Sequence, residues 1–281
     1  MKAAEFRYER PESLAEALAL LEDTDLDATP LAGGQSLVPM MNFRLAMPGM
    51  LVDLSELDDL KGISEDGGGV RIGAMTRYVD LAGSDLIARR APLIAMALPY
   101  IAHAAIRNRG TIGGSVALAD PAAEMPALLL ALDATITVQS SAGSKTHGAA
   151  DFFLGMYETA LEDGELVTAI TIPAPAPHRR FAFYELARRH GDYAMAGVAV
   201  SATGAVGAGC TDFRVAYFSV ADRPVRATAA EAALDGKAPM DGAEAAVAAL
   251  GEIPFAGDLN AGIATKLHLS GVVLKRALER L

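Results

Sequence analysis

The sequence has a single cysteine, Cys210, and this scarcity excludes two kinds of chemistry. One thiol cannot form an intrachain disulfide. It also cannot hold an iron–sulfur cluster, which usually needs several thiolates. Any redox centre carried by this chain alone is therefore expected to be organic.

Positive charge and long apolar runs are also scarce. The chain has 24 Lys and Arg against 35 Asp and Glu, a formal net charge of -11, which is the wrong sign for binding a phosphate backbone. The opening stretch MKAAEFRYERPE lacks the apolar core of a secretory signal, and no apolar run reaches the ~18–20 residues of a membrane span. These absences predict a cytoplasmic protein that binds no nucleic acid and has no membrane span.

The 281 residues, 52% of them hydrophobic, are enough for one large or two modest domains. The segment PAPAP at 173–177 is the most linker-like stretch, and it predicts a boundary between residues 1–175 and residues 176–281. The first part begins as a β-α-β unit, and the second reads as three antiparallel strands with helices after them.

Hydrophobic periodicity predicts the individual elements. Strands are expected at 3–8, 28–32, 50–54, 70–74, 135–139, 145–148, 166–172, 181–187, 195–202 and 213–220. Helices are expected after Pro11, after a capping Ser36, at 76–82, 84–99, 227–234, 240–250 and 260–281, and in the Ala- and Leu-rich segment that ends at Leu132.

Two glycine segments carry the strongest binding signal. The first, residues 32–36 (AGGQS), joins a predicted strand to a predicted helix, and the second, residues 111–115 (TIGGS), has the same small, hydroxyl-rich chemistry. Glycines let main-chain N–H groups approach a phosphate closely, although any one such pair after a strand is more often a plain turn. Neither segment fits a P-loop or a Rossmann fingerprint. Together they indicate a cradle for a pyrophosphate.

The other motifs in the sequence indicate no further binding or catalytic site. The run GAVGAG at 204–209 lies between predicted antiparallel strands and is expected to be a hairpin turn. The five scattered histidines show no zinc-protease spacing, so no metal site is expected on this chain, and no nucleophile elbow is present.

Two arginine pairs stand out in this acidic chain. Arg107 and Arg109 lie just before the second glycine segment, and Arg188 and Arg189 precede Tyr193. Each pair is expected either to face an anionic cofactor or a partner, or to be an ordinary solvated turn. Tyr193 is a candidate for stacking on a flat ring or for an interface.

Three stretches together resemble a known family. AGGQSLVPMMNFRLAMP at 32–48, IRNRGTIGGSVALADPAAEMPALLLAL at 106–132 and ARRHGDYAMAGVAV at 187–200 closely resemble the FAD-binding medium subunit of molybdenum hydroxylases. That group includes aerobic carbon monoxide dehydrogenase, quinoline oxidoreductase and nicotine dehydrogenase, and more distantly the flavin domain of xanthine dehydrogenase. The resemblance runs from end to end.

The resemblance implies an α+β fold of the vanillyl-alcohol-oxidase type. Two subdomains, about 1–56 and 57–175, would clasp FAD, and a C-terminal domain with a three-stranded antiparallel sheet and helices would follow. The two glycine segments would wrap the pyrophosphate. Glu124, with Asp120 as the nearby alternative, would contact the sugar or adenosine portion, and Leu166 and Val167 would touch the flavin ring. The residues expected to bind FAD are Ala32, Gly33, Gly34, Gln35, Ser36, Leu37, Thr111, Ile112, Gly113, Gly114, Ser115, Asp120, Glu124, Leu166, Val167 and Tyr193.

The resemblance also implies a role and partners. This chain would take electrons from two [2Fe–2S] clusters on a small subunit, and pass them through FAD to a quinone, NAD or oxygen. Substrate would be hydroxylated at a molybdenum cofactor on a large subunit, in a dimer of heterotrimers that could contact the inner face of the membrane. The sequence departs from some relatives at Glu185, where they carry a lysine. The alternatives are a self-sufficient flavin oxidase or reductase and a flavin-free scaffold.

Overall fold

The computed structural model describes residues 2–205 and 208–281 and begins with the expected β-α-β unit. Its elements are β1 (Arg7–Glu9), α1 (Leu14–Glu22), β2 (Ala28–Leu31), α2 (Leu37–Asn42) and β3 (Met50–Asp53). The three strands form a parallel sheet with β3 in the centre. The hydroxyl of Ser13 accepts the N–H of Glu16 at 3.2 Å and so begins α1. Ser36 precedes α2 but makes no capping hydrogen bond through its side chain, so its expected capping role is wrong.

A second part follows, built on a five-stranded antiparallel sheet with the order β4-β5-β10-β6-β7. Its elements are β4 (Ile63–Asp66), β5 (Gly69–Gly73), α3 (Tyr78–Ala82), α4 (Asp85–Arg90), α5 (Pro92–Ala97), α6 (Ala104–Arg107), α7 (Ile112–Leu118), α8 (Glu124–Leu132), β6 (Thr135–Ser140), β7 (Gly143–Gly148), α9 (Ala149–Phe152), β8 (Phe153–Gly155), β9 (Glu158–Thr159) and β10 (Leu166–Ile172). The strand predicted at 166–172 is confirmed. The helix predicted at 84–99 is two helices, because Pro92 has no N–H to continue α4.

The C-terminal part is a four-stranded antiparallel sheet with helices after it. Its elements are β11 (Arg179–Ala187), β12 (Ala194–Thr203), β13 (Thr211–Phe218), β14 (Val225–Arg226), α10 (Thr228–Leu234), α11 (Ala243–Ala248) and α12 (Ile263–Leu278). The three predicted strands are confirmed, and the two-residue strand β14 adds a fourth at the edge. The predicted turn at 204–209 includes residues 206 and 207, which lie outside the described residues.

Helix α8 joins the second part to the C-terminal part. Its sequence EMPALLLAL has no polar face, and all nine residues are buried, as expected for a helix that is apolar all round. It packs against α5 and α7 and against β12 and β13. The side chains of β12 alternate, so Ala199 lies in the core shared with α8, whereas Val198 and Val200 lie under α10 and α12.

The packing between α8 and the C-terminal sheet depends on a glycine. A Cβ atom at Gly197 would lie 2.0 Å from the ring of Phe218, which is fully buried and stacks on Phe183 at 5.9 Å. We expect Gly197→Ala to lower the free energy of unfolding by about 1–3 kcal/mol, because the ring must move in a close-packed core. Urea denaturation measures the change.

The matched control is Gly251→Ala. Position 251 is exposed and a Cβ there would meet nothing within 4 Å, so stability should stay within about 0.5 kcal/mol of the parent. Equal stability of the two variants would contradict the close approach of Gly197 to Phe218.

Candidate functional site

The first glycine segment connects β2 to α2. Gly34 has φ +70, a left-handed conformation that glycine adopts without strain. In the described part of the chain, the main-chain N–H groups of residues 33–36 donate no hydrogen bond. The Gln35 side chain turns back and donates to the carbonyl of Gly33 at 3.0 Å. The segment therefore presents consecutive free amides, an arrangement that suits an anion.

The second glycine segment is the first turn of α7 and not an irregular loop, which corrects the expectation that residues 106–115 lie outside regular elements. Thr111 begins the helix, because its hydroxyl accepts the N–H of Gly114 at 3.1 Å. The N–H groups of Ile112 and Gly113 donate to the carbonyls of Thr76 and Ala74, just after β5, at 3.0 Å and 2.8 Å. These amides are thus used by the chain itself. A ligand can therefore contact the side chains and glycine Cα atoms of this segment, but the N–H groups of residues 112–115 are not free.

The two segments touch. A Cβ at Gly33 would lie 2.3 Å from the carbonyl oxygen of Arg109, so only glycine allows this approach. A Cβ at Gly114 would lie 2.9 Å from the hydroxyl oxygen of Thr111 and 3.5 Å, an ordinary contact distance, from the Cβ of Ala32. The main-chain packing therefore requires glycine at Gly33, whereas a side chain at Gly114 would meet side-chain atoms only.

A cavity of about 780 Å³ lies beside this junction, within the size range of small-molecule sites. It brings together most of the residues expected from the sequence, namely Ala32, Gly33, Gly34, Gln35, Ser36, Leu37, Thr111, Gly113, Gly114, Ser115, Asp120, Glu124, Leu166, Val167 and Tyr193. Ile112 does not line it, because its side chain is fully buried in the core. The cavity thus draws on all three parts of the fold.

The sequence did not point to the apolar wall of this cavity. That wall includes Met40, Met75, Tyr78, Ile101 and Ile106, which come from helices and loops between residues 40 and 106, and packing brings them to one surface. No local pattern distinguishes such residues from ordinary core positions.

A second cavity, of about 850 Å³, lies against the same first glycine segment and is lined by Lys61, Arg77 and Arg109. It lacks Ser115, Asp120 and Tyr193, which line the 780 Å³ cavity. The smaller cavity is therefore the one that unites the predicted site.

The arginines of the two pairs have different roles. Arg107 is a structural residue, since its guanidinium donates to the carbonyls of Ile101 and Ala102 at 2.8 Å and 2.6 Å. Arg188 lines the 780 Å³ cavity, whereas Arg189 is exposed and does not line it. Arg188 is thus the member of the second pair that can face an anion in the cavity.

Burial raises the pKa of two groups that line the cavity, Glu124 and Tyr193, and of Glu185, which does not line it. Burial raises the pKa of Glu124 to about 7, and the nearby Asp120 adds to the effect. Burial also raises the pKa of Glu185 to about 8, with a contribution from Glu124, and the Oε2 atom of Glu185 is buried without a hydrogen-bond partner. Burial and the Asp120 carboxylate raise the pKa of Tyr193. At neutral pH the Glu185 carboxyl therefore holds a proton that it would lose in water, and the Glu124 carboxyl holds one in about half of the molecules.

The family of the chain follows from its match to two domain models. Residues 4–175 match the FAD binding domain in molybdopterin dehydrogenase, and residues 181–281 match the CO dehydrogenase flavoprotein C-terminal domain. The chain therefore belongs to the family of FAD-binding medium subunits of molybdenum hydroxylases. The resemblance seen in the sequence is confirmed, as is FAD as the cofactor of this family.

Individual relatives support the same assignment. The carbon monoxide dehydrogenase medium chain of Afipia carboxidovorans is 43% identical over 279 residues, which cover 98% of this chain and 96% of the relative. The glyceraldehyde dehydrogenase medium chain of Sulfolobus acidocaldarius is 42% identical over 237 residues, covering 84% and 83%. A solved structure of carbon monoxide dehydrogenase from Hydrogenophaga pseudoflava superimposes with a TM-score of 0.95 at 41% identity, covering 100% of this chain and 98% of that one. The expected α+β fold and the role as an oxidoreductase flavoprotein are confirmed.

The buried carboxyl of Glu185 makes stability depend on pH. The pKa of this group is 4.5 in a model compound and about 8 in the fold. Between these values the native chain keeps a proton that the unfolded chain has released, so stability falls as the pH rises from about 4.5 to about 8. We expect Glu185→Gln to gain stability relative to the parent over this interval, on the order of 1 kcal/mol after solvent screening.

Denaturation of the FAD-free chain at pH 5 and pH 8 measures this difference. The control is Glu252→Gln, at an exposed position, which should leave the pH dependence as it is in the parent. A parent and a Glu185→Gln variant with the same pH dependence would show that Glu185 is ionised in the fold.

Proposed function

We propose that this chain binds FAD in the 780 Å³ cavity and serves as the electron-transfer subunit of a heteromeric molybdenum hydroxylase. The observation that carries the proposal is the convergence of both glycine segments with Leu166, Val167 and Tyr193 on that one cavity. These residues come from distant parts of the chain and were expected from sequence motifs before the fold placed them together.

Each part of the cavity suits a part of FAD. The free amides of residues 33–36 suit the pyrophosphate, and Arg188 can add a positive charge. Asp120 and Glu124 suit the sugar hydroxyls. Leu166 and Val167 lie on β10 and offer an apolar surface for the flavin ring. Tyr193 is 59% exposed, so its ring is free to stack on a flat group.

Bound FAD supplies the redox chemistry, taking electrons from [2Fe–2S] clusters and passing them to a quinone, NAD or oxygen. The residues of this chain bind the cofactor, orient it and exclude water from it. The raised pKa of Glu124 reduces the negative charge that this carboxyl places in the cavity near neutral pH. The substrate would be selected on another subunit, so this chain does not distinguish carbon monoxide from an N-heterocycle, a purine or an aldehyde.

The proposed partners are a large subunit with the molybdenum cofactor and a small subunit with the [2Fe–2S] clusters, assembled as a dimer of heterotrimers. The support is the naming of the relatives as medium chains. We place the complex in the cytoplasm. No helix within residues 2–205 and 208–281 is long and apolar enough to cross a bilayer.

We also propose a division into an FAD-binding domain at 1–175, with subdomains at about 1–56 and 57–175, and a C-terminal domain at 176–281. The end of the first family model at residue 175 and the start of the second at residue 181 support this boundary. The separate parallel and antiparallel sheets support the two subdomains.

Gly114→Val tests the cavity. Gly114 is helical and faces Ala32 across the junction, so a valine fills the space between the glycine segments without forcing a left-handed backbone. We expect FAD binding to fall at least ~100-fold, on the order of the loss from a misfitting buried side chain, while circular dichroism stays that of the parent. Quenching of flavin fluorescence on titration measures affinity.

Gly83→Val is the matched control, because Gly83 ends a helix at an exposed position and has no close neighbour. It should bind FAD like the parent. We chose Gly114 over Gly33, since a side chain at Gly33 would push apart the main chain even without a ligand. A Gly114→Val chain that stays yellow would contradict the proposed site.

Purification through a tag on this chain from its native host tests the function as a whole. We expect flavin and iron–sulfur absorbance together with one large and one small companion. A lone yellow chain that turns over a substrate would instead support a self-sufficient oxidase, and a colourless complex would support a scaffold.

A further inference from the structure

Ser219, directly after β13, is held in an unusual conformation by three hydrogen bonds. Its φ is +62, in the left-handed region that costs a non-glycine residue energy. Its N–H donates to the carbonyl of Pro121 at 2.7 Å, and its hydroxyl donates to the carbonyl of Ala194. Its own carbonyl accepts from the ammonium of Lys266. The N–H, the hydroxyl and the carbonyl of this strained residue are thus all hydrogen-bonded.

Two of these partners border the candidate FAD site. Pro121 directly follows Asp120, and Ala194 directly follows Tyr193. Asp120 and Tyr193 both line the 780 Å³ cavity, and the Asp120 carboxylate raises the pKa of the Tyr193 phenol. Ser219 therefore connects the ends of two segments, from different domains, whose side chains meet in the cavity.

Lys266 supports this connection from α12. Its side chain is 4% exposed, and its ammonium pairs with the Asp258 carboxylate at 2.7 Å as well as with Ser219. Asp258 also accepts the N–H groups of Asn260 and Ala261 at 2.7 Å and 2.9 Å. Asn260 lines the same cavity, and its carbonyl accepts a long hydrogen bond from Arg188. The single buried ammonium thus fixes a third segment at the cavity.

We propose that Lys266 and Ser219 are positioning residues for the flavin site. Neither lines the cavity, and both act through the main chain of the three segments that carry Asp120, Tyr193 and Asn260. The inference rests on the proposed FAD function. It assigns to the C-terminal domain the task of holding the cavity in its binding arrangement before FAD arrives, which lowers the cost of ordering these segments on binding.

Lys266→Met tests the proposal, because methionine keeps much of the length of the side chain and removes its charge. If the variant holds the binding arrangement about one-tenth of the time, the apparent dissociation constant for FAD rises about tenfold.

Ser219→Gly keeps the N–H and tolerates the positive φ, but removes the hydroxyl bond to Ala194. It should raise the constant about fivefold, as expected for one lost hydrogen bond.

The measurement is FAD titration of the flavin-stripped full chain, with thermal unfolding recorded for every variant. Two controls lie on α12. Lys275→Met removes an exposed lysine paired with Glu244 and should change nothing, whereas Val273→Ala destabilises the buried side of the helix. We expect Val273→Ala to lower the unfolding temperature and leave FAD affinity at the parent value.

A double variant separates positioning from general weakening. If Lys266 acts partly through the segment of Tyr193, Lys266→Met should cost less affinity in a Tyr193→Ala chain than in the parent. The proposal is overturned if Lys266→Met and Ser219→Gly bind FAD like the parent, or if Val273→Ala weakens FAD binding as much as Lys266→Met does. A parent chain that binds no FAD would overturn the proposed function itself.

Discussion

The burial of α8 on every side is the constraint on which the rest of the molecule depends. A helix with the sequence EMPALLLAL cannot face water, so it requires cover from the second part of the fold and from the C-terminal sheet at once. This requirement docks the two domains in one arrangement. Glu124 is the first residue of α8, and Asp120 lies four residues before it. The packing of α8 therefore also places both carboxyl groups at the cavity.

The candidate site is suited to an anionic cofactor although the chain as a whole is acidic. The net charge is -11, and Arg188 is the one basic side chain among the described residues that line the 780 Å³ cavity. The chain instead offers main-chain amides of the first glycine segment, which attract an anion without adding a charged side chain. Burial raises the pKa of Glu124 to about 7, so this carboxyl of the cavity carries less negative charge near neutral pH than it would in water.

The two glycine segments share a composition but not a role. The first keeps its amides free, whereas the second uses its own to begin α7 and to join the end of β5. A rigid second segment gives the first a fixed surface to pack on, and glycine is needed at Gly33 for that contact. The C-terminal domain completes the wall with Arg188, Gly191, Asp192, Tyr193, Met195 and Asn260. The cavity is therefore a product of three parts of the chain.

The sequence by itself determined the local elements and the family. Alternating and helical hydrophobic patterns placed the strand at 166–172 and most of the other elements, because such periodicity depends only on neighbouring residues. Motif resemblance supplied the residues of the site. Only the tertiary structure decided that the side chain of Ile112 lies in the core and that N–H groups of the second segment donate to other parts of the chain. It also decided that burial raises the pKa of Glu185. It alone joined Lys266 to Asp120 and Tyr193 through Ser219, since hydrogen bonds between distant segments leave no periodic trace in a sequence.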